Sequence, residues 1–227
     1  AMGFKTTQGE DFVWEVKGTL KDIYLESRQV PYGATQFWGY MLVEFQVKKA
    51  GGEPRTTILR AHKYYAAVSG GMGRKDEATE GLLHLIVEGS QEMVARLNRA
   101  YFGAPPTAEM VKNAGSLAAG KDNAVHVVSL AGVPAAVPVL TKLIQSSSSE
   151  GQRADFIAAL ARIGSPEVVG FLSGRYAAED EDGRWETLKA MDYIGGADAK
   201  ALLEQGSKDK NDACRRLAAR ILEIKKN

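Results

Sequence analysis

With 227 residues, 44% of them hydrophobic and 25% charged, the chain can bury a core and suits one elongated or two compact domains. A formal net charge of +1 gives no global attraction to nucleic acid or to an anionic membrane. No apolar run reaches the roughly 18 residues needed to span a bilayer and no secretory leader is recognisable, so a cytoplasmic protein without membrane insertion is expected.

Residues 1–74 hold most of the aromatic side chains and alternate as strands do. Phe12, Trp14, Val16 and Leu20 oppose Glu15, Lys17 and Thr19, which predicts a strand over Phe12–Leu20. Met41, Val43, Phe45 and Val47 oppose Glu44, Gln46 and Lys48 and predict another. Asp22–Arg28 and Arg55–Lys63 complete a set of four, with turns at Pro31-Tyr32-Gly33 and Ala50–Pro54. Such strands form an antiparallel sheet with one covered face, and the first helix of the following half is the nearest cover.

Ser69–Lys75 is glycine-rich and lies between a strand and a helix, where backbone amides can cradle phosphate. Asp76 follows Lys75 where a phosphate loop needs Ser or Thr, and the dinucleotide spacing is incomplete, so Gly70–Gly73 reads as a hinge between domains 1–74 and 75–227. Asp76–Phe102 predicts two helices, burying Leu82, Leu83, Leu85 and Ile86 in the first and Met93, Val94, Leu97 and Tyr101 in the second. Glu80, His84 and Glu88 share a helix face, but a single histidine is a poor metal set and the trio reads as a solvated stripe.

From Lys121 onward the chain repeats. Arg153, Arg184 and Arg215 are 31 residues apart, and Gly132, Gly164 and Gly195, like Leu140, Leu172 and Leu203, follow at 32 and 31. Ile157, Leu160 and Ile163 in one copy match Leu188, Met191 and Ile194 in the next, so each repeat reads as two helices broken by its glycine. Asp182 and Asp212 are placed to cap the helices that carry the arginines. Gly103, Pro105 and Pro106 look like a worn copy that extends the array back toward residue 76. Ser146–Ser149 and Glu179–Asp182 occupy the turn between helices. The acidic run has Ala178 and Lys189 where a calcium loop needs ligands, and so reads as a solvated turn. Cys214, the single cysteine, excludes an internal disulfide; beside Arg215 and Arg216 it reads as an ordinary, partly exposed thiol.

With ARIGSPEVVGFL (Ala161–Leu172) as its best copy, this half resembles the short HEAT-like repeats of the phycobilisome-lyase type. The resemblance covers about half of the chain and implies an α-solenoid that binds a partner. The expected fold class is therefore α+β, an antiparallel sheet domain (1–74) followed by HEAT-like helix pairs (75–227, clear from 121). The expected function is a non-catalytic protein–protein interaction module or scaffold. Tyr32, Trp38 and Trp185 are candidate aromatic anchors, and Arg153, Arg184 and Arg215 are candidate contacts if they line the open face. A structural role bonding neighbouring turns is their other reading. The resemblance also implies an alternative, a protein or accessory subunit that attaches or detaches bilins. No catalytic, cofactor or metal residues are singled out and a small-molecule ligand is not expected. Residues 75–227 carry more acidic than basic side chains, against strong nucleic-acid binding. The seven basic residues of the last 20 match the polar outer face of a terminal repeat.

Overall fold

The computed structural model describes residues 14–29, 34–68, 74–102, 125, 128–129 and 132–224. A three-stranded antiparallel sheet precedes seven described α-helices, and contacts group the chain into two compact units, Ala1–Val94 and Ala95–Asn227. The expected boundary at 74 thus moves some twenty residues on, because the first helix packs with the sheet. Tyr32, Phe12, the Pro31–Gly33 turn, the Gly70–Gly73 loop and the worn repeat at Gly103–Val111 lie outside the described residues.

In the first unit β1 (Trp14–Gln29), β2 (Ala34–Lys49) and β3 (Arg55–Val68) form a meander in the order β1-β2-β3. The two strands expected over 12–28 are one. The register shifts between Leu20 and Asp22, so Lys21 is the extra residue of a bulge. Val16 and Leu20 stand opposite Val47 and Val43, while beyond the bulge Ile23 and Leu25 stand opposite Met41 and Gly39. A change of alternation from even to odd therefore keeps one face apolar from Trp14 to Leu25.

Helix α1 (Arg74–Leu97) covers the part of that face beyond the bulge with small residues, while Val16 and Leu20 before it are exposed. Gly81 sits on Phe37, Leu85 on Gly39, and Gly89 on Ala61 and Met41. A Cβ at Gly39 would strike the Tyr24 carbonyl of the next strand, so this position admits only glycine. Lys63 fixes the helix electrostatically, its Nζ lying 2.8 Å from buried Glu92 and 3.1 Å from Glu88. The apolar residues expected inside divide: Leu85, Met93 and Leu97 are buried, whereas Leu83, Ile86 and Val94 are exposed. The helix is also continuous to Leu97, with no break into two before the π-helical turn Asn98–Phe102.

The second unit contains α2 (Val137–Ser146), α3 (Glu150–Ile163), α4 (Val168–Arg175), α5 (Glu181–Ile194), α6 (Ala197–Gly206) and α7 (Asp212–Ile224). The arginine-bearing helices pack in succession, α3 on α5 and α5 on α7, and α4 packs on α6. Leu140, Ile157, Leu160, Leu172, Leu188, Met191 and Leu203 are fully buried between them. Gly164 and Gly195 close α3 and α5 with φ of 69° and 75°, a region that a side chain disfavours. Their amides donate to Leu160 and Met191 at 3.0 Å.

Candidate functional site

The repeat arginines converge on the turns that open their helices. Arg153 Nη1 donates to the Ser147 carbonyl at 3.3 Å, Arg184 Nη1 to Glu179 at 2.8 Å and Arg215 Nη1 to Asp209 at 3.0 Å. Each thereby ties the fourth residue of a helix back to the loop before it, occupying carbonyls that the loop itself leaves open. Two of the three also reach one repeat ahead. Arg153 Nε lies 3.0 Å from the Glu179 carboxylate and Arg184 Nε 3.2 Å from that of Asp209.

The receiving carboxylates are buried and further engaged. Glu179 also accepts from Arg175 Nε at 2.8 Å, and Asp209 from the Tyr176 hydroxyl at 2.6 Å. The Glu179 hydrogen bond holds the Arg153 guanidinium above its ordinary pKa. Burial, reinforced by the bond to Asp209, pushes the Tyr176 phenol upward. Arg215 instead pairs with Asp212 in its own helix. The result is a seam of cations, carboxylates and carbonyls joining successive turns, and the structural reading of these arginines accounts for their bonds.

A second column lies beside it. Ser149 accepts from the Gln152 amide, Asp180 from the Gly183 amide at 2.8 Å and Asn211 from the Cys214 amide at 3.0 Å. These caps are 31 residues apart, like the arginines. The expectation that Asp182 and Asp212 cap these helices is corrected: both lie inside the first turn, and Asp212 pairs with Arg215 and Arg216. The Glu179–Asp182 turn is likewise more than solvated, since Glu179 receives two arginines and Asp180 caps α5.

The aromatic anchors are also corrected. Trp38 lies inside β2 at 7% exposure, against Tyr24 with ring centroids 5.5 Å apart, and Trp185 lies in α5 at 4%, beneath the Lys189 ammonium. Neither is beside a loop, and their ring area is already committed to packing. Cys214 is fully buried as well, and burial together with Asp209 pushes its thiol up to about 12, overriding the opposing effect of Arg184.

Two open surfaces stand out among the described residues, besides the exposed Val16, Leu20 and Ile58 of the sheet. An open groove of about 640 Å³ is lined by Tyr176, Arg184, Glu204, Lys208, Asp209 and Lys210, where Asp209 already accepts from the Tyr176 hydroxyl and pairs with Arg184. On α1, Leu83, Ile86, Val87 and Val94 are 54%, 39%, 53% and 41% exposed and share the side opposite Gly81, Leu85 and Gly89. Sequence reasoning assigned three of these four to a core; the glycines at four-residue intervals were the signal that the helix approaches its sheet on the other face. His84 bonds Glu88 at 3.0 Å and Glu88 pairs with Lys63, so this carboxylate serves the helix–sheet contact. No protein-family model matches the chain, and no curated protein matches it.

Proposed function

We propose that the chain is a non-catalytic protein-binding module in which a HEAT-like α-solenoid of the phycobilisome-lyase type is joined to a sheet domain. The observation that carries this reading is the exposed apolar stripe Leu83, Ile86, Val87 and Val94 on α1. Helical spacing sets these side chains in a row suited to the apolar face of a partner, and contiguous exposed apolar surface marks interaction sites. The repeat supports a scaffold role, since its regular polar side chains are bonded to one another and hold successive turns in a fixed relation.

The test is affinity capture by the full chain and by the double variant Leu83→Glu, Val87→Glu. Both positions are solvent-facing, so thermal unfolding should stay within about 0.5 kcal/mol of the parent. A stoichiometric partner retained by the parent and lost by the variant is the expected result. A partner retained equally by both, or none retained by the parent, refutes the stripe as the binding surface.

A further inference from the structure

Strand β1 is an edge of the sheet, and part of it is open to solvent. Among the described residues no strand pairs with its outer side, and every residue from Val16 to Asp22 is exposed. Such an edge presents a row of backbone N–H and C=O groups with which a further strand can pair. It also carries apolar surface. Val16 is 44% and Leu20 53% exposed, although Val47 and Val43 opposite them on β2 are buried.

The order of side chains along this edge matches its own reverse. With a second copy set antiparallel and Gly18 facing Gly18, Val16 comes opposite Leu20 of the second copy, and Leu20 opposite its Val16. Both exposed apolar side chains thereby meet apolar partners on the α1 face. On the other face Glu15 comes opposite Lys21, and Lys17 opposite Thr19. Moving the centre by one residue destroys the match: a centre at Lys17 sets two lysines face to face, and one at Thr19 sets Lys17 against Lys21. Like charges directly opposite are unfavourable, so the Gly18 register is preferred to both neighbours. Glu15 and Lys21 are 39% and 46% exposed and reachable from a second copy, being held by Lys17 at 2.9 Å and Glu44 at 3.6 Å at the surface. The bulge at Lys21 ends the regular run, and by symmetry bounds the pairing on both sides.

The two helices also fit. A two-fold axis normal to the sheet keeps both copies of α1 on one side, and α1 rests on Phe37, Gly39 and Met41 of β2. The two β2 strands are then three strand spacings apart, about 14 Å, against a helix diameter of about 10–12 Å.

We propose that the chain self-associates through β1, two copies pairing antiparallel about Gly18 so that the sheet continues from one into the other. This contact is independent of the α1 stripe and stands or falls separately from it. A short edge contact buries less than the roughly 800 Å² per partner of a standard interface, so the dimer is a weak one.

Sedimentation equilibrium of the full chain, from low to high micromolar concentration, reads the association. The expected result is a mass rising from that of one chain toward that of two. Leu20→Lys, at a solvent-facing site that occurs twice in each dimer, should weaken association about tenfold or more. Leu83→Glu, Val87→Glu should leave it unchanged. The mass of one chain throughout, or association that Leu20→Lys leaves intact, overturns the proposal. Because the parent chain alone shows whether it associates, misfolding of a variant does not obscure the answer. Register is read by cross-linking, since Cys214 is buried and introduced thiols react alone. A mixture of the Lys17→Cys and Thr19→Cys chains should form disulfide-linked dimers faster than either chain does with itself. Equal rates in the mixture and in the separate chains would overturn the pairing about Gly18.

Discussion

Arg184 and Arg215 occupy the same column of the repeat, and replacing each by leucine should have very different costs. The Arg184 side chain is 11% exposed and its partner Asp209 6%, whereas Arg215 and its partner Asp212 are 43% and 40% exposed. Removing Arg184 leaves the Asp209 carboxylate buried with neutral donors alone, the Tyr176 hydroxyl and the Asn211 amide, and strips the Glu179 carbonyl of its 2.8 Å bond. Breaking a buried pair from one side costs about 3–5 kcal/mol, since the surviving charge stays desolvated. An exposed pair contributes about 0–1 kcal/mol, so Arg215→Leu should cost about 1 kcal/mol including its carbonyl bond. Urea unfolding followed by far-ultraviolet circular dichroism measures both. The double variant Arg184→Leu, Asp209→Leu should recover much of the loss, because the buried charge is then gone as well. Equal, small costs for the two single variants would refute the seam as the element that joins successive turns.

Three further outcomes follow from burial. Cys214 ionises near 9 when unfolded and at about 12 in the folded chain, so its contribution is intact below pH 9 and is lost as pH rises toward 12. Between those limits the parent should lose about 1.4 kcal/mol per pH unit relative to Cys214→Ala, as read by paired urea titrations; parallel curves would refute the assignment. Leu172→Ala and Leu203→Ala, both at fully buried sites, should each cost about 2–5 kcal/mol in the same assay, and a loss under about 0.5 kcal/mol would place them at the surface. Gly39→Ala must push the Tyr24 carbonyl and Leu85 aside and should cost about 1–3 kcal/mol, seen as a lower thermal midpoint; an unchanged midpoint would mean that α1 and β1 are not held where the structure has them.

What could be read from the sequence was whatever repeats with one residue type. Arginine, glycine and leucine recur unchanged, so their columns were visible. The caps Ser149, Asp180 and Asn211 recur at the same interval, but as three residue types sharing one capability, an oxygen that accepts an amide, and identity alone passes over them. In β1, the bulge at Lys21 reverses the alternation, and a period-two reading takes a reversal for a strand end. On α1, hydrophobicity pointed to Leu83 and Ile86, whereas the sheet accepted Gly81 and Gly89 because a helix without side chains at those points comes closest. Trp38 and Trp185 were misplaced for the converse reason: large rings favour interfaces, but they favour cores by the same burial of area.

The same contrast bears on where recognition resides. The repeated arginines each bond their own turn, and Arg153 and Arg184 also pair with a carboxylate of the next. Substituting such a residue disturbs stacking before it disturbs any ligand. Leu83 and Val87 on α1 have no counterparts in the periodic columns, and their apolar surface is left uncovered among the described residues. On the proposed reading, selectivity for a partner therefore rests on the α1 stripe, while the periodic seam ties successive turns together.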